Sequence, residues 1–413
     1  MRVVLTALTI EGISEQCDFN STVGGPVVIM FSPRKSRFLA TVAAAALSLG
    51  AAQAHPSVNT HPWGKTPDGK SVKIVTLQSG NGVTVRVITY GGVIQSVETP
   101  DRNGHPQDIV LGFSNLNGYT VDSAKGGLFF GAIIGRYANR LAGGSFPVEG
   151  RTYHTDITAP PNALHGGKKG FDKNVWTIEK TGRNASGAYL TLKLVSPDGD
   201  QGFPGKLTTH VTYTLSPDNA LSLHYVATTD APTVLNLTNH SYWNLNGEGS
   251  GSIEPEVLQL NADTFTPTNS TSLPTGQIAS VAGTPLDFSK PTAIGERLRS
   301  NDPQMMYARG YDMNWIVNGA YGQAPRLAGK IYDPRSGRSM EILTNQPGLQ
   351  VYTSNSLDGG YAGISGHAYR QTDAIAFEAE HYPDSPNHPS FPTTELKPGQ
   401  TFDYTTTFRF SNQ

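Results

Sequence analysis

The sequence predicts an all-β protein, one large antiparallel β domain with few short helices. Composition is the first reason: 45 glycines and 28 prolines with only 15% charged residues favour many turns and short strands. Patterning is the second, because period-two alternation recurs along the chain while only Pro291 to Arg299 reads as helical, with Pro at its start. The third is continuity. No repeat period and no linker divides the 413 residues, a length ample for a single core.

The N-terminus predicts a leader rather than a fold element. Arg34-Lys35-Ser36-Arg37 precedes an apolar run, Phe38 to Leu49, that ends at Ala52-Gln53-Ala54. This is the order of a secretory signal, basic then apolar then small-x-small, and the run is too short to span a bilayer. Met30 lies just before the basic cluster, so translation is expected to start there, with residues 1–54 discarded and cleavage after Ala54. The mature chain, 55–413, is then a single domain of 359 residues with net charge −3. Its one cysteine, Cys17, is lost with the leader, so no disulfide forms. Export without disulfides points to a bacterial periplasmic or secreted protein with no membrane association after cleavage. A net charge of −2 for the full chain leaves no electrostatic footprint for nucleic acid.

In order, Val72 to Leu77 and Val83 to Ile88 flank Ser79-Gly80-Asn81-Gly82 as a hairpin. Val93 to Val97 is a strand closed by the turn Pro100 to Gly104, and Ile109 to Phe113 is a short buried run. Leu207, Thr209, Val211, Tyr213 and Leu215 alternate inward, a pattern repeated by Leu221, Leu223, Tyr225 and Ala227; His210 and His224 fall on the outer phase. Late strands are Arg338 to Leu343, Gly348 to Tyr352, Ala374 to Glu380 and Phe402 to Phe410. Lys168-Lys169 beside glycines lacks phosphate-loop spacing and a following helix.

Chemistry concentrates at Leu235 to Leu245, where His240 sits among Asn236, Asn239, Asn244, Thr238, Ser241, Tyr242 and Trp243. Amides give and accept hydrogen bonds, aromatic faces stack on a sugar's C–H face, and His changes charge near neutral pH. Glu378 lies in the apolar strand Ala374 to Phe377, where a carboxylate seldom sits without a partner or a purpose.

The chain resembles the galactose mutarotase, or aldose 1-epimerase, family from about Trp63 to Phe410. The ordered motifs are Thr89-Tyr90-Gly91-Gly92, Pro100-Asp101-Arg102-x-Gly104, Leu111-Gly112-Phe113 and Gly135-Arg136-x-Ala138-Asn139-Arg140. After them come Asn162-x-Leu164-His165-Gly166-Gly167, Gly170-Phe171-Asp172-Lys173, Gly199 to Gly205 and Asn236 to Tyr242. Tyr311-Asp312-x-Asn314, Gln346-Pro347-Gly348 and Tyr382-Pro383-Asp384 complete the set. The resemblance implies a β-supersandwich and cofactor-independent, metal-independent interconversion of the α and β anomers of a free hexose such as galactose or glucose. It implies His240 as general acid, Glu378 as general base, and Arg140, His165 and Asp312 as sugar-binding residues, with Asn139 and Gln346 lining the pocket. His240 must then carry a proton, which requires an acidic neighbour or a pH-poised site.

Two departures stand out. The family usually has Glu-Thr-Gln where this chain has Glu378-Ala379-Glu380; two residues apart on a strand share a face at about 6.5–7 Å, so Glu380 either raises the pKa of Glu378 or serves as the base. Trp243 stands where Phe is common, a change that bears on sugar stacking. Other readings are a periplasmic carbohydrate-binding or sensing protein without turnover, and a zinc enzyme using His165, His240 and Asp312, which lacks any short His-x-x-x-His pair. A sugar-phosphate substrate would need a basic cluster, for which Lys168-Lys169 is the sole candidate. The sequence is equally compatible with a monomer and a homodimer.

Overall fold

A computed structural model of the chain describes residues 55–413; the leader, Met30 and the cleavage site at Ala54 lie outside the described residues. Three antiparallel sheets carry the architecture. A five-stranded meander runs Ser57–Lys65, Ser71–Gln78, Thr84–Ile88, Ile94–Pro100 and Pro106–Asp108. A nine-stranded sheet is centred on Leu207–Leu215, Ala220–Thr229, Phe402–Asn412 and Arg338–Thr344. A six-stranded sheet is ordered Tyr242–Trp243, Ile375–Glu380, Gly348–Tyr352, Asp312–Ile316, Thr264–Thr266 and Ala279–Ser280. One continuous apolar core is built from all three.

Alternation explains the packing. Along Leu207–Leu215 every second residue is buried, while His210 and His224 lie on the outer face, paired with Glu179 and Asp403. The six-stranded sheet is covered on both sides but sorts its residues by phase. Met313, Trp315, Leu349, Val351, Ile375, Phe377 and Ala379 enter the core. The intervening positions, Asp312, Gln350, Tyr352, Glu378 and Glu380, are therefore on the other face. Register aligns them, with Asp312 opposite Tyr352 and Gln350 opposite Glu378.

Two expectations are corrected. Pro291 to Arg299 is not an α-helix: Thr292–Ala293 pairs as an edge strand with Val257 and Leu258, followed by a 3₁₀ turn, Ile294–Glu296. The Ile294 and Gly295 N–H groups donate to the Glu256 and Glu254 carbonyls, so neighbouring backbone takes the bonds a helix would have used. Helix forms instead at Pro303–Ala308, where Asp302 caps the Gln304 N–H and Pro sits at the first position. Trp243, for its part, does not face a sugar. It is fully buried with ring centroids 4.8 Å from Phe408 and 5.8 Å from Phe410. Tyr242, one residue earlier, takes the opposite phase. Trp243→Ala should lower unfolding free energy by about 3–5 kcal/mol, read by denaturant titration, with Trp243→Phe much milder. An unchanged midpoint with a raised KM would return Trp243 to sugar stacking.

Candidate active site

The second face of the six-stranded sheet floors a cavity of about 400 Å³, and its wall comes from loops in both halves of the chain, around Phe129 to His165 and around Ser272, Arg309 and Asn355. His240 follows the short strand Thr238–Asn239, which pairs with Ile133–Ile134. Its main chain is clamped on both sides, the His240 N–H donating to the Ala132 carbonyl at 2.9 Å and the Gly131 N–H donating to the His240 carbonyl at 3.0 Å. Gly131 has φ +67°, and a Cβ there would lie 2.1 Å from the Ile94 carbonyl oxygen, so only glycine permits this clamp. Arg140 and Leu164 are register partners in a two-residue ladder that brings Asn139, Arg140 and His165 to one wall.

Six of the seven residues expected from sequence line this cavity: Asn139, Arg140, His165, His240, Asp312 and Glu378. Gln346 does not. It is buried in the turn before Gly348–Tyr352, with its main-chain carbonyl accepting from Arg326. The glutamine that supports the site is Gln350, four residues on and in the pleat phase of the site face; it does not line the cavity, but its amide donates to Asp312 at 2.7 Å. Arg140 approaches the other Asp312 oxygen at 3.7 Å. Aromatic walls missed in the sequence are Phe129 and Tyr352; Tyr242, from the stretch singled out in the sequence, stacks on His240 with ring centroids 4.9 Å apart. Phe129 left a signal in its flanks, Gly126-Gly127 before it and Gly131 after, and it holds a left-handed φ of +55°.

His240 Nε2 and Glu378 Oε1 face each other at 3.5 Å, both side chains almost wholly buried. Burial pushes His240 down to about 4 and pushes Glu378 well above the usual carboxylate range, with the Glu380 and Asp312 charges adding to the rise. The resting imidazolium expected from sequence is thereby corrected: each group is pushed toward its neutral form, a neutral imidazole beside a protonated carboxyl, in which the pair shares a single proton. Glu380 is buried too, pushed up to about 8 by burial. It does not line the cavity, because both its oxygens are taken by the amides of Asn139 and Asn236.

His165, His240 and Glu378 bring potential metal-ligating atoms within 4.8 Å of one another, a set with Glu378 where the sequence suggested Asp312. The hydrogen bonding of His165 does not suit a metal. Its Nδ1 accepts from the Asn139 N–H at 3.2 Å, which leaves the ring proton on Nε2, and a protonated nitrogen has no lone pair for an ion. Lys168 is mostly exposed beside Asp156, and neither Lys168 nor Lys169 lines the cavity.

The Aldose 1-epimerase family profile matches residues 73–409. The chain is 39% identical to human galactose mutarotase, over 86% of this chain and 99% of that protein. It is 35% identical to the Escherichia coli K12 aldose 1-epimerase, over 83% and 96%. The crystal structure of galactose 1-epimerase from Lactobacillus acidophilus superposes with TM-score 0.75 at 28% identity, covering 86% of this chain and 99% of that one. With that profile spanning most of the chain and relatives at 35–39% identity over nearly their whole length, the chain belongs to the aldose 1-epimerase family.

Proposed function

We propose that the protein is a cofactor-independent aldose 1-epimerase that opens and recloses the ring of a free hexose such as galactose or glucose. The observation that carries this is the buried His240–Glu378 pair, 3.5 Å apart in a cavity of about 400 Å³ walled by hydrogen-bonding and aromatic side chains. In the reaction Glu378 takes the proton from the anomeric hydroxyl, the C1–O5 bond breaks as the carbonyl forms at C1, and His240 gives its proton to O5. Rotation about C1–C2 then presents the other carbonyl face. On closure His240 takes the proton back from the O5 hydroxyl, O5 attacks C1, and Glu378 reprotonates the former carbonyl oxygen. No proton is gained or lost overall, and one proton on the pair is the stock the cycle needs.

Burial bears on the energetics. The distribution it favours, neutral His240 with protonated Glu378, is both the resting state and the state after ring opening, so the proton must pass from Glu378 to His240 before the ring can open, at a desolvation cost. Each partner is worth roughly 10²–10⁴ in rate. Asp312 accepts from sugar hydroxyls, while the Arg140 fork and His165 Nε2–H donate to them. A binding protein without turnover has no use for a proton-carrying pair buried at the cost of desolvation, which favours the enzyme.

Localisation follows from the leader: we infer export to a bacterial periplasm or beyond, with residues 55–413 as the single mature domain. N-terminal sequencing of protein recovered from the exported fraction should read from His55, and an intact Met30 start in the cytoplasm would contradict it.

Added enzyme should speed the polarimetric relaxation of fresh α-galactose or α-glucose. His240→Ala and Glu378→Gln should each lower the rate by roughly 10²-fold or more; wild-type rates in either variant would sink the assignment. The pH profile is a separate test. A second proton enters the pair only as pH falls through the depressed His240 value of about 4, and the single proton leaves only as pH rises through the raised Glu378 value. The plot of kcat/KM against pH should therefore show no limb at the ordinary histidine value and fall on the acid side near pH 4. An acid limb at the ordinary histidine value of about 6.5 would contradict the shared proton.

A further inference from the structure

Glu380 is wholly buried, sits outside the cavity, and takes no part in the proton cycle above. Its two oxygens fasten one short stretch of chain from two directions. Oε1 accepts from the Asn139 side chain at 2.9 Å. Oε2 accepts at 3.0 Å from the Asn236 side chain, and the Asn236 main-chain carbonyl in turn accepts from the Ala138 N–H at 2.8 Å. Asn139 needs such fastening, since its φ of +62° is a left-handed conformation that a non-glycine residue adopts at a cost.

What that conformation achieves is visible at His165. The Asn139 carbonyl accepts from the His165 N–H at 3.0 Å, and the Asn139 N–H donates to His165 Nδ1 at 3.2 Å. A nitrogen that accepts cannot carry the proton, so the neutral ring is held in its Nε2–H form. Burial, with the Arg140 and Lys173 charges adding to it, keeps the ring from taking a second proton. With the opposite tautomer His165 would present an acceptor to the cavity instead of a donor.

We propose that Glu380 is a positioning residue that acts through Asn139 on His165, holding the turn whose N–H keeps the ring proton on Nε2, where it donates to a sugar hydroxyl. The proposal rests on the reading of His165 as a sugar-binding residue, but the tautomer itself is measurable without sugar. Glu380→Gln retains an oxygen for the Asn139 amide. Glu380→Ala does not. Asn139→Ala cuts the same link from its other end and keeps a non-glycine residue at the left-handed position, so it serves if Glu380→Ala fails to fold.

Nitrogen-15 NMR of the histidine-labelled, sugar-free protein reads the tautomer, with His165 identified by its loss in His165→Asn; polarimetric kinetics on galactose read KM and kcat. Wild type and E380Q should show bare Nδ1 and protonated Nε2, with KM within about threefold of each other. E380A or N139A should populate Nδ1–H and raise KM about tenfold, the factor for one lost hydrogen bond of about 1.4 kcal/mol. The effect on kcat should be smaller, since the lost contact is made equally in ground and transition states. The double variant should be no worse than the stronger single one. An unchanged tautomer and KM in E380A or N139A would overturn the proposal. A changed tautomer with unchanged KM would uphold the link from Glu380 to His165 and count instead against His165 as a sugar ligand.

Discussion

A histidine and a glutamate buried face to face at 3.5 Å form a pair whose charge state is set jointly. Desolvation penalises each charged form, and their proximity penalises any state in which both carry protons or neither does. The site around them serves that constraint. The main-chain clamp on His240 fixes the ring, the pleat of Ile375–Glu380 fixes Glu378, and Tyr242 and Phe129 keep water from the imidazole. In the proposed reaction the same constraint supplies acid and base from a single proton, with no metal ion called for by the chemistry.

Carboxylates near this pair divide the labour by position. Glu378, Glu380 and Asp312 all influence one another, yet each has a different set of partners. Asp312 is held by Gln350 and approached by Arg140, which leaves it at the cavity wall as an acceptor. Glu380 is saturated by two amides and faces protein on all sides. Glu378 alone combines cavity exposure with an oxygen aimed at His240 and a second, Oε2, that has no hydrogen-bond partner among the described residues. The proposed reaction therefore uses Glu378 rather than Glu380, a choice open in the sequence, because Glu380 is already hydrogen-bonded through both oxygens.

Much of this was legible in the sequence because strand periodicity is short and local. The alternation of Leu207 to Leu215, and the late strands Gly348 to Tyr352 and Phe402 to Phe410, lie where the pattern predicted them. The candidate site residues came from ordered motifs, and only Gln346 lies away from the cavity; strand phase alone, two residues per repeat from Glu378 across the ladder, would have pointed to Gln350. Trp243 was misread for the related reason that one residue of phase separates core from site. The helix expected at Pro291 was lost to edge pairing with Val257 and Leu258, a partner more than thirty residues away that no local propensity registers. The saturation of Glu380 was equally out of reach, because Asn139 and Asn236 arrive from 241 and 144 residues away.

The most direct test of the shared proton is an NMR titration of the His240 ring nitrogens in the sugar-free protein, with Glu378→Gln as the comparison. The account predicts no titration of His240 between pH 5.5 and 8 in the wild type, given a value depressed to about 4. A His240 that titrates as an isolated imidazole at its ordinary value of about 6.5, unaffected by Glu378→Gln, would contradict it.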